Sequence, residues 1–211
     1  LGTPPSLKGL HQRRELSPRL RFKVDANPDW DDNFCARLSE LNVVDVVDLK
    51  GFYEGTIVDL EPDPELYARV ARHFSEAWIE DARWTDRTGD VLGPHVARLT
   101  LDAPLHSVAD IDRWPFVPSC LNCKPSRFGT LQRLFDFYAT CERREIALYA
   151  GGQFELGVGR GQNLRLASIF HPGGSNDIAP LPYHSDPLPA GAPHTPLAAS
   201  GAEADLHFAG W

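Results

Sequence analysis

The sequence predicts an α/β fold of the (β/α) TIM-barrel type, left incomplete, and three observations carry that reading. Strand-like and helix-like segments take turns along the 211 residues, a spacing that connects parallel strands through helical crossovers. The strands after the first are continuous apolar runs, as in a sheet covered on both faces. No Gly-x-Gly-x-x-Gly follows the first strand; the nearest run, Gly157-Val158-Gly159-Arg160-Gly161, comes late and with another spacing, which disfavours a dinucleotide-binding sheet.

Residues 1–19 hold Pro4, Pro5, Pro18 and the charged run Arg13-Arg14-Glu15 and read as an irregular lead-in without an apolar strand. Residues 20–24 form a short first strand. Residues 32–41 put Phe34, Leu38 and Leu41 on one helical face, and residues 43–47 are a β-branched strand. Asp63 and Pro64 open a helix over 65–74, with Leu66, Val70 and Phe74 four apart. Residues 77–80 and 98–102 are the next strands, and Ser107 caps a short helical segment reaching Asp112. Residues 120–123 are a fifth strand. The clearest helix spans 130–144, with Leu131, Leu134, Phe135, Tyr138 and Cys141 expected on its buried side. Residues 146–150 give a sixth strand, 162–170 a last helix, and 177–179 a short seventh strand. A closed barrel of this type needs eight strands, so the first is expected to be missing and the strand edge beside Lys23 exposed. The barrel domain is assigned to residues 20–181 and an extended Pro-, Gly- and Ala-rich tail to 182–211.

Composition narrows the class. Hydrophobic residues are 42% and charged residues 24%, a globular balance. The net charge of −8 without a basic stripe argues against a nucleic-acid partner. No apolar run approaches the ~20 residues that span a bilayer, and no leader precedes the first element; a cytoplasmic protein with no membrane partner is expected. The chain starts at Leu1 and has no Met, so a truncated or processed N-terminus is expected. Cys120 and Cys123 have zinc-ligand spacing, but no second pair follows; with Cys35 and Cys141 they read as buried thiols.

The chemistry sits at strand ends, where a (β/α) barrel keeps its active site. Lys23, Asp48, Glu80, Asp102 and Lys124 end successive strands at spacings of 25, 32, 22 and 22 residues. Hydrophobic packing does not produce one charged group per strand, and charges enclosed at a barrel mouth must be paired or bind metal. Asp48, Glu80 and Asp102 are three carboxylates from adjacent strands, a hard oxygen set suited to magnesium or manganese. Lys23 and Lys124 flank them as acid/base candidates for moving a proton on carbon. Arg21, two residues before Lys23 and on the same strand face, would favour the neutral lysine.

These residues resemble the enolase superfamily, in particular its muconate-lactonizing-enzyme-like subgroup. Asn122-Cys123-Lys124-Pro125-Ser126-Arg127-Phe128-Gly129 is similar to the family's sixth-strand lysine motif. Gly151-Gly152-Gln153-Phe154-Glu155-Leu156-Gly157-Val158-Gly159-Arg160 resembles its seventh-strand signature, and Arg21-Phe22-Lys23 its second-strand Lys-x-Lys. By this match Asp48, Glu80 and Asp102 fall on the metal ligands of the third, fourth and fifth strands. Asp25-Ala26-Asn27 also looks like the third-strand motif, but Asp25 lies 55 residues before Glu80, too far for one βα unit; Asp48 is therefore preferred. The resemblance implies a Mg2+ enzyme, an isomerase or lyase of racemase, epimerase, cycloisomerase or synthase type, that removes a proton α to the carboxylate of a small substrate. Glu155 is a supporting residue. Asp81-Ala82 stands where the family carries Gln-Pro or Glu-Pro, and neither a capping domain nor a first barrel strand is visible. The alternative is a non-catalytic barrel remnant, with an isolated chain that is inactive or nearly so. Self-association as a homo-oligomer is left open. His106 and His171 read as structural, and the glycines from Gly151 to Gly161 as tight turns.

Overall fold

Among the described residues, six parallel strands follow one another around an arc in the order in which they occur in the chain. The computed structural model describes residues 6–16, 18, 20–153, 155, 157–178 and 190. β1 (Phe22–Asp25), β2 (Val44–Asp48), β3 (Trp78–Glu80) and β4 (Leu99–Thr100) form one sheet in that order; β5 (Cys120–Cys123) pairs with β6 (Ala147–Ala150). Every pairing is parallel. The backbone N–H of Asn122 donates to Leu101 O at 3.0 Å and joins β4 to β5. A parallel bridge from Gly151 to Asp177 continues the arc past β6, where the sequence suggests a seventh strand. Sequential order without reversal is the winding of a barrel, not of a doubly wound sheet.

The crossovers are helical because their sequences cap and face correctly. Asp31 accepts from Phe34 N at the start of α2 (Asp32–Glu40), and Asp63 accepts from Glu65 N ahead of Pro64 at the start of α3 (Pro64–His73). Thr85 and Thr88 form a reciprocal capping box on α4 (Asp86–Leu92). Thr130 caps α5 (Leu131–Arg143), and α6 (Gly157–Phe170) follows β6. The apolar faces of α2 and α3 (Cys35, Leu38, Leu66, Tyr67, Val70) pack with Val24, Val47 and Ile79 of the sheet. Each such buried side chain contributes about 1.5–3 kcal/mol relative to exposure. The sheet curls enough for Val46 of β2 to meet Cys120 of β5 and Tyr149 of β6 inside the arc.

Several expectations are corrected. Residues 7–16 form a helix, α1 (Leu7–Leu16), rather than an irregular lead-in; its Leu10 is sealed in the core. On α5 the buried stripe is Leu134, Phe137, Tyr138 and Cys141, while Leu131 and Phe135 are 66% and 43% exposed. That stripe keeps the 3, 4, 7 spacing of one helix face, and Phe135 instead packs on Phe170. The glycines from Gly157 to Gly161 are the first turns of α6, not a turn cluster; only Gly157 takes a positive φ, of 51°. Ser107 makes no cap bond; its hydroxyl donates to Asp110 at 2.9 Å. The tail at 182–211 lies outside the described residues except for position 190, as do Phe154, Leu156 and Ala179. Among the described residues no helix is long and apolar enough to cross a membrane.

Candidate active site

Five successive βα units deliver one charged group each to the same end of the arc. Asp48 closes β2 and Glu80 closes β3, and the two are register partners. Asp102 lies two residues past β4, Lys124 follows β5, and Lys23 lies within β1. Carboxylate oxygens of Asp48, Glu80, Asp81 and Asp102 all lie within 4.8 Å of one another, and all four residues are buried. Asp25, the alternative third-strand candidate, is not a member of that cluster; it pairs with Lys50 at 3.1 Å.

The cations interleave with the carboxylates. Lys23 Nζ lies 3.1 Å from Asp48 Oδ2 and 3.6 Å from Asp102 Oδ2, contacts Glu80 Oε1, and is 3.5 Å from Asp177 Oδ2. Lys124 Nζ is 2.7 Å from Asp102 Oδ2, and Arg127 Nη1 is 2.8 Å from Asp102 Oδ1. Lys50 Nζ is 2.5 Å from Asp48 Oδ2, and its backbone N–H donates to Asp48 Oδ1 at 2.9 Å. The Tyr149 hydroxyl donates to Glu80 Oε2, with Asn122 Nδ2 at 3.5 Å from the same oxygen. Tyr53, on the long β2–α3 connection, donates to Asp102 Oδ2 at 3.3 Å.

Burial opposes charge here; it pushes the Glu80 carboxyl well above the usual carboxylate range in spite of Lys23, whereas at Lys23, Asp48 and Asp102 the neighbours reverse its effect. Burial alone would lower Lys23, but Glu80, Asp48, Asp177 and Asp102 hold its ammonium protonated well above the usual lysine range. Burial would raise Asp48; the ammonium groups of Lys23 and Lys50 keep it below the usual carboxylate range. Asp102 is likewise held low against burial by Lys23, Lys124 and Arg127. Asp81 behaves in the opposite way: burial, then Asp48 and Asp102, push its carboxyl up to about 7.

The donor set fits a divalent cation. Clustered, buried carboxylates from separate strands are the hard oxygen ligands that such ions select. A lysine ammonium seated against three of them shows a pocket built to hold positive charge. Asp48, Glu80, Asp81 and Asp102 are the residues that could hold the ion.

Other candidates part from this cluster. Arg21 precedes β1, is exposed, and pairs with Asp45 at 2.5 Å. The register of β1 on β2 shifts here, with Phe22 opposite Val44 and Lys23 opposite Val46, and the skipped Asp45 of β2 is the residue that takes the Arg21 guanidinium away from the cluster. Glu155 accepts from Ser126 Oγ and Gln153 N, each at 2.7 Å, and ties the loop after β6 to the segment after Lys124. His171 is buried, with Nδ1 2.9 Å from Asn176 Oδ1. Cys120 and Cys123 are free and buried in β5, and burial pushes both thiols up to about 12. Sequence reasoning missed Lys50, Asp81, Arg127 and Tyr149 as site residues. Lys50 carried a signal, since it stands two residues after Asp48, and Arg127 lies inside the quoted lysine motif; Tyr149 sat unmarked in a strand.

An arc of parallel strands with this cluster at one end has the fold of the enolase-superfamily barrel. Residues 1–185 match the family described as "Domain of unknown function (DUF8230) C-terminal domain", and the chain belongs to it. It is 34% identical over 157 residues to o-succinylbenzoate synthase of Listeria innocua, covering 74% of this chain and 35% of that protein. It is also 34% identical over 155 residues to the enzyme of that name from Enterococcus faecalis, covering 71% and 40%. The chain thus spans well under half the length of these curated relatives. Among solved structures it is similar to MenC from Desulfotalea psychrophila (TM-score 0.61, 15% identity, 83% of this chain and 52% of that one). It is similar also to a dipeptide epimerase from Methylococcus capsulatus complexed with Mg (TM-score 0.57, 21% identity, 77% and 49%). The resemblance to the muconate-lactonizing-enzyme-like subgroup read from the sequence stands.

Proposed function

We propose that this chain forms the catalytic half of a magnesium-dependent enzyme, manganese being the substitute ion, that moves a proton on the carbon α to a substrate carboxylate. The observation that carries the reading is the meeting of two lysines from distant strands on one oxygen: Lys23 and Lys124 lie 3.6 and 2.7 Å from Asp102 Oδ2. Asp48, Glu80 and Asp102 would hold the ion. Bound there, it would draw off the negative charge that develops on the carboxylate as the proton leaves.

Lys124 and Lys23 would handle the proton itself. A lysine must be neutral to accept it and charged to return it, so two lysines permit transfer from one to the other, as in racemisation or epimerisation. They equally permit one to act as base while the other stays a cation, as a synthase or cycloisomerase would need. Relatives named o-succinylbenzoate synthase favour the second course. The substrate is a small carboxylate.

The test is metal-dependent α-proton exchange in deuterated water. The panel comprises N-acylamino acids, dipeptides, hydroxy acids and the acid precursor of o-succinylbenzoate. Exchange of at least one substrate with Mg2+, lost on chelation, is expected. No exchange in the full chain or in a longer protein carrying it would overturn the reading.

A further inference from the structure

Asp102 is the site carboxylate with the least strand to hold it. β4 has two residues and ends at Thr100, so no ladder bond fixes the Asp102 N–H. Asp81 supplies the missing hold: Asp102 N donates to Asp81 Oδ1 at 2.8 Å and Ala103 N donates to Asp81 Oδ2 at 3.0 Å. We infer that Asp81 is a positioning residue, which clamps the backbone of Asp102 and so aims its carboxylate, rather than one of the carboxylates that hold the ion.

Two features separate Asp81 from its neighbours in the cluster. Both of its oxygens already serve fixed backbone donors, whereas Asp48 has one such donor, the Lys50 N–H on Oδ1, and Asp48, Glu80 and Asp102 each turn an oxygen to a lysine ammonium on a swinging side chain. Its own backbone is also pinned in a rare state. Asp81 has φ 52°, in the left-handed region that a residue with a side chain disfavours. Asp81 N donates to Thr100 O at 3.0 Å, and Gly51 N donates to Asp81 O at 2.9 Å. Gly51 leaves room for this: a Cβ there would lie 2.7 Å from Asp81 O. Asp81 thus links the ends of three neighbouring βα units.

The inference rests on the proposed divalent ion, and the test distinguishes the two. Asp81→Asn and Asp81→Gly both suit a left-handed backbone, so the variants are expected to fold. Mn2+ binding to the full chain is measured by calorimetry, and metal-bound waters are counted by water-proton relaxation. Loss of an outer partner of a ligand costs about 10–100-fold in metal affinity. That range is expected, with Asp81→Gly weaker than Asp81→Asn and the water count unchanged. Amide exchange at Asp102 and Ala103 should be slow in the unmodified chain and faster in both variants. One extra bound water in the variants would make Asp81 a ligand and overturn the inference, as would an Asp81→Gly chain that binds Mn2+ like the original. No Mn2+ binding by the unmodified chain would overturn the metal reading and this inference with it.

Discussion

Gly151 lies directly beneath the side chain of Lys124: a Cβ at position 151 would stand 2.6 Å from Lys124 Cε and 2.5 Å from Asn122 Oδ1. The small residue after β6 therefore sets the path of the lysine that follows β5. Gly151→Ala should displace Lys124 and cost about 1–3 kcal/mol by overpacking. Exchange activity should fall while Mg2+ affinity changes little; full activity in this variant would show that the lysine has another route to the site.

Lys124→Ala should lower α-proton exchange by about 100-fold or more, the usual worth of a positioned acid or base. Metal binding should persist, because Lys124 touches only one of the three carboxylates, Asp102. Exchange at the original rate would remove Lys124 from the mechanism.

Mg2+ should raise the thermal unfolding midpoint of the full chain. At about 100 times its dissociation constant, the ion adds about 2.7 kcal/mol to stability. Asp48→Asn, Glu80→Gln and Asp102→Asn should each abolish most of that gain. An undiminished gain in all three would place the ion elsewhere.

Lys23→Met should destabilise the metal-free chain, because removing one partner of a buried charge cluster costs about 3–5 kcal/mol. The midpoint gain on adding Mg2+ should then exceed that of the original chain, since ion and ammonium serve the same carboxylates. Paired melting curves with and without Mg2+ decide the matter, and a smaller gain in the variant contradicts it.

The faces of α5 give a test of packing alone. Phe137→Ala should cost about 3–5 kcal/mol, because Phe137 is fully buried and lies against Phe128 at 4.6 Å between ring centroids. Leu131→Ala, at an exposed position, should stay within about 0.5 kcal/mol. Chemical denaturation of both variants reads the difference.

The strand ends were legible because a lone ionisable residue closing an apolar run has few explanations. Asp48, Glu80, Asp102 and Lys124 stood out in that way, and the structure brings them together. Asp63 before Pro64 was legible as a helix start for the same reason, being local chemistry, whereas Thr130, read as the first residue of its helix, is the cap. What sequence could not give was long-range. Five of the eight residues from Leu131 to Tyr138 are apolar, so only the packing partners decide that Phe137 is buried and Leu131 is not. Arg21 is drawn off by Asp45, 24 residues further along the chain and skipped in the pairing of β1 with β2, which the spacing of Arg21 and Lys23 could not show. Asp81 left no periodic trace, because its role rests on a positive φ and on two backbone donors about twenty residues downstream. The glycines of α6 belong to a helix only because tertiary packing outweighs their weak propensity.

The uneven spacing of the site groups has a plain structural origin. Asp48 and Glu80 are 32 residues apart in sequence yet neighbours on one rung of the sheet, and the surplus lies in the connection between β2 and α3. Length added to a connection is invisible to the rung. Length added inside a strand is not, since a slip of one residue turns every later side chain to the opposite face. A single residue inserted between Val46 and Asp48 would exchange the roles of interior carboxylate and outer apolar contact. The same insertion near Gly55, where the loop has open space around it, would leave the rung intact. The constellation is therefore written in strand phase and is indifferent to how much chain lies between strands, which allows such a site to persist while its connecting segments grow and shrink.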